Sequence, residues 1–141
     1  MYASPAMNRS RTVIVLSVLI GVLALFATGA GLFWQTDAEA DTFTSVHGEE
    51  VELYGRGIYE YDSVFAGAAR RGTDVITLML GLPMLAVTLY LYGRGSLRGG
   101  LLLLGTLVYF LYVYASFALG SVYNNLFLVT IALFSASLFA V

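Results

Sequence analysis

This 141-residue chain is 59% hydrophobic and only 11% charged, with mean hydropathy +0.82, where soluble domains run at about 45–50% apolar and about 25% charged. That composition excludes an ordinary water-soluble core and makes lipid the expected solvent. With no cysteine, a single histidine (His47) and a net charge of −2 without a basic patch, disulfides, thiolate or histidine-cluster metal sites, cysteine nucleophiles and nucleic-acid binding are all left without material.

Residues 1–11 form a short polar N-terminus that includes Arg9 and Arg11. Residues 12–34 are uncharged and apolar, and at 1.5 Å per residue they reach roughly 34 Å, enough to cross a hydrocarbon core of about 30 Å. Ala38-Glu39-Ala40 offers an A-x-A-like cleavage site. The apolar run is longer than the roughly 7–15 residues of a signal-peptide core, and Trp34 stands where an interfacial aromatic belongs, so retention as a first transmembrane helix is expected.

Residues 35–72 make a polar segment holding eight of the nine acids, together with Arg56, Arg70 and Arg71. Its first part, to about Glu50, reads as irregular. From Val51 to Tyr61 the text VELYGRGIYEY reads as a short hairpin or extended layer on the membrane surface. Asp62-Ser63 then reads as the N-cap of a short interfacial helix ending at Arg70 and Arg71, with Gly72 as its C-cap. Thr73-Asp74 would cap a second spanning helix, about 75–92. Gly81 and Pro83 mark a kink or local opening in it, because proline removes a backbone donor and crowds the preceding turn.

A glycine- and arginine-rich loop, 93–100, follows. It lacks the Lys-Ser/Thr ending and the preceding strand of a phosphate-binding loop, so it reads as a basic hairpin touching lipid headgroups. A third span is expected at about 101–119, with Tyr109 and Tyr112 on one face and Phe110, Tyr114 and Phe117 on another. A turn containing Tyr123, Asn124 and Asn125 leads to a fourth span, about 122–141. Its apolar last residues, Phe139-Ala140-Val141, suit a chain that continues further or an end covered by a partner. Placing Arg9, Arg11, Arg94 and Arg98 inside, against Arg56, Arg70 and Arg71 outside, puts the N-terminus in the cytoplasm by the positive-inside rule.

The expected fold is therefore all-α: a bundle of about four transmembrane helices, with a polar, partly ordered extracytoplasmic segment between the first two. The ionisable residues that gather near one membrane face, Tyr59, Tyr61, Asp62, Arg70, Arg71 and Asp74, form the candidate polar cluster. Ionisable groups at a membrane are functional candidates by default. Helix capping and interfacial anchoring come first for these residues, and a ligand or proton site second. No haem ligand pair is available, because the spans hold no histidine and their methionines, Met79 and Met84, have no obvious partner. His47-Gly-Glu49-Glu50 is a poor metal motif. No cofactor is expected. Gly21, Ala24, Ala27 and Gly31 in the first span and Gly81 in the second permit close helix approach, but no clean GxxxG motif lies in an apolar stretch.

The text GRGIYEYDSVFAGAARRGTD, followed by RGSLRG and YNNLFL, resembles a type of bacterial polytopic membrane protein, over about residues 55–141. The resemblance implies a bacterial, multi-span protein whose hydrophobic text continues further, and it carries over no catalytic or binding residues. Arginine used throughout in place of lysine agrees with a GC-rich bacterial genome. The leading expectation is a membrane-embedded binding, sensing or assembly module whose partners are the bilayer and other membrane subunits or a second copy. A piece of a multi-span transporter or channel is the first alternative, on the broken Gly81-Leu82-Pro83 helix. A membrane enzyme using Asp62, Asp74 and Arg71 is the second.

Overall fold

The computed structural model describes residues 10–34 and 42–141. Arg9 and the Ala38-Glu39-Ala40 cleavage text lie outside the described residues. The described residues are mostly helical, and four helices carry them: α1 (Arg11–Phe33), α2 (Val64–Gly93), α3 (Leu97–Gly120) and α4 (Phe127–Ala140). The first three are long and apolar enough to cross a membrane, which supports a membrane-associated protein. The 14 residues of α4 reach only about 21 Å.

In α1 the buried positions are Ser17, Ile20, Ala24, Ala27, Thr28 and Gly31, a stripe at helical spacing made mostly of small residues. The outward faces carry the large apolar side chains. Phe26 is 59% exposed and Phe139 of α4 is 78% exposed, while Ser17 and Ser137 are fully buried. A soluble domain has the opposite arrangement, and small residues at helix contacts are how apolar-solvated bundles pack. α1 packs on α2 and α4, and α3 on the same two helices, so the four close into an up-down-up-down ring. Ile20, Leu85, Leu103, Leu107, Phe110 and Leu133 fill its middle.

Side chains set the helix boundaries. Ser10 caps α1 by accepting from the Val13 N–H, and its own N–H donates to the Tyr92 hydroxyl at 2.9 Å, tying the start of α1 to the end of α2. Ser96 caps α3 through the Gly99 N–H at 3.2 Å, so α3 starts earlier than the expected residue 101. The α2–α3 turn needs glycine twice. Gly95 sits at φ +78°, and a Cβ on Gly99 would lie 2.7 Å from the Leu91 carbonyl carbon. α4 starts at Phe127, later than expected, because the turn before it is stabilised by Asn124, whose side-chain oxygen accepts from the Leu126 N–H at 3.0 Å.

Three expectations are corrected. The short interfacial helix does not stop at Gly72. Ser63 caps it as read, accepting from Ala66, but the helix runs on unbroken into the second span. Arg70 and Arg71 find partners on other elements, so they mark no helix end, and Asp74 is an interior residue of α2, not a first-turn cap. The hairpin also lies earlier than expected. β1 (Thr42–Thr44) pairs antiparallel with β2 (Glu50–Glu52), so Val51 starts no new hairpin. Lastly, Tyr109 and Tyr112 part company: Tyr109 bonds to Thr77 at 2.8 Å, whereas Tyr112 is 72% exposed on the outer face.

Before Pro83 the helical ladder of α2 changes register. Thr77–Gly81 is a π segment, with the Leu82 N–H reaching the Thr77 carbonyl. Proline cannot donate and crowds the turn before it, and a wider turn accommodates both effects. Gly81 ends this segment, where a Cβ would meet the Tyr109 ring at 3.0 Å.

Candidate functional site

The end of the bundle formed by the finish of α1, the first eleven residues of α2, the finish of α3 and the start of α4 holds the polar residues. The connection that brings Tyr59 there is a 3₁₀ turn, Gly57–Tyr59, whose three residues are all buried. It enters through Gly57 at φ +63°, where a side chain would also strike the Trp34 carbonyl oxygen at 2.5 Å. Backbone bonds from Tyr54 to Asp62 and from Gly55 to Glu60 close the loop, and Leu53 bridges to Ser63. Tyr54 packs closely on Gly67 of α2, where a Cβ would sit 2.5 Å from its Cγ.

Two carboxylates are buried here, Asp62 and Asp74, each only 3% exposed. Asp62 forms an ion pair with Arg70, and its other oxygen accepts from the Val122 N–H at 3.4 Å. Arg70 also donates to the Gly120 carbonyl, the last residue of α3, and its guanidinium stands 5.9 Å from the centre of the Phe117 ring. One arginine therefore holds the loop before α2 to the end of α3. The neighbouring Arg71 donates to the Leu32 carbonyl at 3.1 Å, satisfying one of the last carbonyls of α1, which have no helical partner.

Asp74 lies one helical turn deeper. The Tyr59 hydroxyl donates to its Oδ2 at 2.6 Å. Burial, reinforced by the Asp74 carboxylate beside it, holds the Tyr59 hydroxyl far above the usual phenol range, so it stays a donor. Room for the Asp74 carboxyl comes from Gly31 of α1. A Cβ there would overlap Asp74 Oδ2 and lie 3.0 Å from both Asp74 Cγ and the Tyr59 hydroxyl. Tyr59 and Tyr114 each meet Phe117 edge to face, at 6.4 and 6.1 Å. Beside Asp74 is a cavity of about 10 Å³ of mixed lining, with Tyr114, Asn124 and Thr130 among Ile58, Phe117 and Leu126, room for about one water. The Tyr114 hydroxyl is buried without a hydrogen-bond partner.

Five of the six predicted cluster residues, Tyr59, Asp62, Arg70, Arg71 and Asp74, are thus gathered at one end of the bundle, in two neighbouring groups. Tyr61 is apart from them, 59% exposed, its hydroxyl bonded to Glu60, which raises its pKa. It lines a separate outer pocket of about 190 Å³ with Trp34, Glu60, Tyr123, Asn124 and Asn125. Gly81 and Pro83 belong to the π segment of α2, away from the cluster. His47 lies exposed in the turn between β1 and β2. Among the described residues, no three of His, Cys, Asp and Glu come close enough to hold a metal.

Gly31 and Phe117 carry the geometry yet give little signal as site residues, reading only as helix-packing positions. The hint for Gly31 is a side-chain-free position two residues before an apolar helix ends, where a polar residue from another helix must fit. Chemically, Asp62 has both oxygens engaged and Asp74 stands behind Tyr59, so the groups offered to the exterior are aromatic rings, amides and Glu60. Comparison with protein-family models, curated proteins and solved structures gives no match to this chain.

Proposed function

We propose that this chain is an integral protein of a bacterial plasma membrane, with four spanning helices and a cytoplasmic N-terminus. Its outer face serves as a recognition surface through which it binds, senses or assembles with another membrane component. The apolar outward faces of the helices support the membrane placement, and the four arginines of the N-terminus and the α2–α3 loop support the orientation. A short α4 is accommodated by local bilayer thinning.

The observation that carries the functional reading is the buried polar lattice beneath the outer pocket. Asp62 and Tyr59 tie the 57–62 connection to Arg70 and Asp74 of α2, and Arg70 and Arg71 tie α2 to the ends of α3 and α1. A buried ion pair adds little net stability against an apolar replacement, but such a lattice holds one geometry. A rim held in place is what a recognition surface requires. The pocket above it, about 190 Å³, is smaller than the roughly 300–1,000 Å³ of small-molecule sites. It suits one inserted side chain or headgroup fragment from a partner.

The π segment ahead of Pro83 favours a second reading, a piece of a multi-span transporter or channel, since interrupted helices border substrate paths. Hydrolysis by paired carboxylates is the weakest reading, because neither acid faces the pocket.

Because the chain has no native cysteine, topology can be read with single-cysteine variants and a membrane-impermeant maleimide. Val46→Cys should label on intact cells and Leu97→Cys only after permeabilisation; the reverse pattern would invert the topology. For function, a photo-crosslinking amino acid at Tyr61 or Tyr123 should give one discrete adduct in native membranes, absent when it is placed at Val18. Loss of the adduct in Asn125→Trp, which fills the pocket, is expected. Equal adducts at Val18 and Tyr61 would defeat the recognition reading.

A further inference from the structure

On the opposite half of the molecule, between α2 and α3, lies a groove of about 360 Å³ lined almost wholly by apolar side chains. Leu80 and Met84 form one wall and Leu101 and Leu102 the other, and all four are exposed, between 47% and 65%. Its width comes from a missing side chain: a Cβ on Gly105 would meet nothing within 4 Å. Tyr109, bonded to Thr77 at 2.8 Å, closes the far end. From Leu101 to Tyr109 the groove runs about 12 Å along α3, close to the roughly 15 Å of one bilayer leaflet.

The near end opens towards Arg98, with Arg94 in the adjoining turn between α2 and α3. Arg98 precedes Leu101 by three residues and Gly105 by seven, so it lies on the same face of α3 as the groove, one turn beyond its mouth. Arg94 follows α2, its guanidinium 5.8 Å from the centre of the Tyr90 ring. All nine acids of the chain lie between Asp37 and Asp74, and Asp74 is at the other end of the bundle. The two arginines therefore face no Asp or Glu side chain of the described residues, among which the one ion pair is Asp62 with Arg70, at the other end of the bundle.

We infer that this groove is a binding site for one anionic phospholipid of the cytoplasmic leaflet, an acyl chain lying along Gly105 and the phosphate held by Arg98 and Arg94. The inference rests on the reading that the helices span a membrane. A flexible chain fits the lining better than a helix from a second copy. Close helix approach needs small residues repeated every fourth position, and here the succession is Leu101, Gly105, Tyr109 on α3 and Ile76, Leu80, Met84 on α2. The basic mouth selects an anionic headgroup, since charged side chains near the surface attract anionic lipid.

The test is native mass spectrometry of the intact chain in detergent, titrated in parallel with dioleoyl phosphatidylglycerol and dioleoyl phosphatidylcholine. The expected result is one retained phosphatidylglycerol per chain, favoured at least tenfold over phosphatidylcholine and not displaced by glycerol phosphate. Gly105→Leu, which fills the groove, should lower retention at least tenfold, and Leu102→Trp provides a second filling variant if the first does not accumulate. Arg98→Gln with Arg94→Gln should abolish the preference between the two lipids, while Val108→Leu, elsewhere on α3, should change nothing. Unchanged retention in both filling variants would overturn the site. Equal retention of both lipids by the native chain would overturn the headgroup assignment. A dimer that Gly105→Leu dissolves without lipid loss would assign the groove to a second copy. The underlying membrane reading fails by a different sign, recovery of the chain in the soluble fraction of lysed cells.

Discussion

Gly31→Ala, compared with Gly29→Ala two residues earlier on the same helix, separates intrinsic helix preference from the packing around Asp74. By propensity alone, either change favours the helix by about 1 kcal/mol. At Gly29 the new Cβ meets nothing within 4 Å, so that variant should match or slightly exceed the native chain. At Gly31 the methyl overlaps Asp74 Oδ2 and lies 3.0 Å from Asp74 Cγ and from the Tyr59 hydroxyl, and neither neighbour is a freely moving surface group. Overpacking costs about 1–3 kcal/mol. Loss of the 2.6 Å bond between Tyr59 and Asp74 leaves a buried polar group unsatisfied, a further ~1–3 kcal/mol. After the propensity gain, a net destabilisation of about 1–5 kcal/mol remains, or roughly 3–20 °C in unfolding temperature. Thermal unfolding in detergent followed by circular dichroism measures both variants. Adding Asp74→Ser to Gly31→Ala should recover part of the loss, because the overlapping group is gone. Equal melting temperatures for Gly31→Ala and Gly29→Ala would refute the packing argument.

Removing Arg70 should be among the more damaging single changes at this end. Arg70→Ala strands a carboxylate that is 3% exposed, a loss of about 3–5 kcal/mol, and the Asp62→Ala/Arg70→Ala pair should lose less than the two singles added together. Arg70→Lys should rescue only partly, because an ammonium lacks the flat fork that reaches Asp62 and the Gly120 carbonyl together. Tyr59→Phe should lower stability by about 1–3 kcal/mol through the unsatisfied Asp74, whereas Tyr61→Phe at the exposed position should stay within about 0.5 kcal/mol; melting curves of the pair decide it. The Tyr59 hydroxyl, with its pKa raised in the folded state by burial and Asp74, contributes stability that is fully present below the ordinary phenol pKa near 10 and is lost as pH rises above it. Native protein should thus lose stability above about pH 10 more steeply than Tyr59→Phe, and equal alkaline profiles would count against the assignment.

The long apolar runs and the Ser63 cap were legible in the sequence, because each is a local property of composition, spacing or capping chemistry. Apolar text of membrane-spanning length states a helix and its solvent before any partner is known. The tertiary structure decided what local chemistry leaves open. Gly72 reads as a stop only if Arg70 and Arg71 are satisfied within their own helix. Their partners, Asp62, the Gly120 carbonyl and the Leu32 carbonyl, come from other parts of the chain, and α2 runs on. Asp74 follows a threonine as a cap would, yet it is an interior residue because Gly31, 43 positions earlier, leaves space for its carboxyl and Tyr59 donates to it. The tyrosines of α3 divide by the same rule. Tyr109 and Tyr114 are turned towards the neighbouring helices and Tyr112 away from them, a choice set by where α2 and α4 pack against α3 and not by any difference among the three residues.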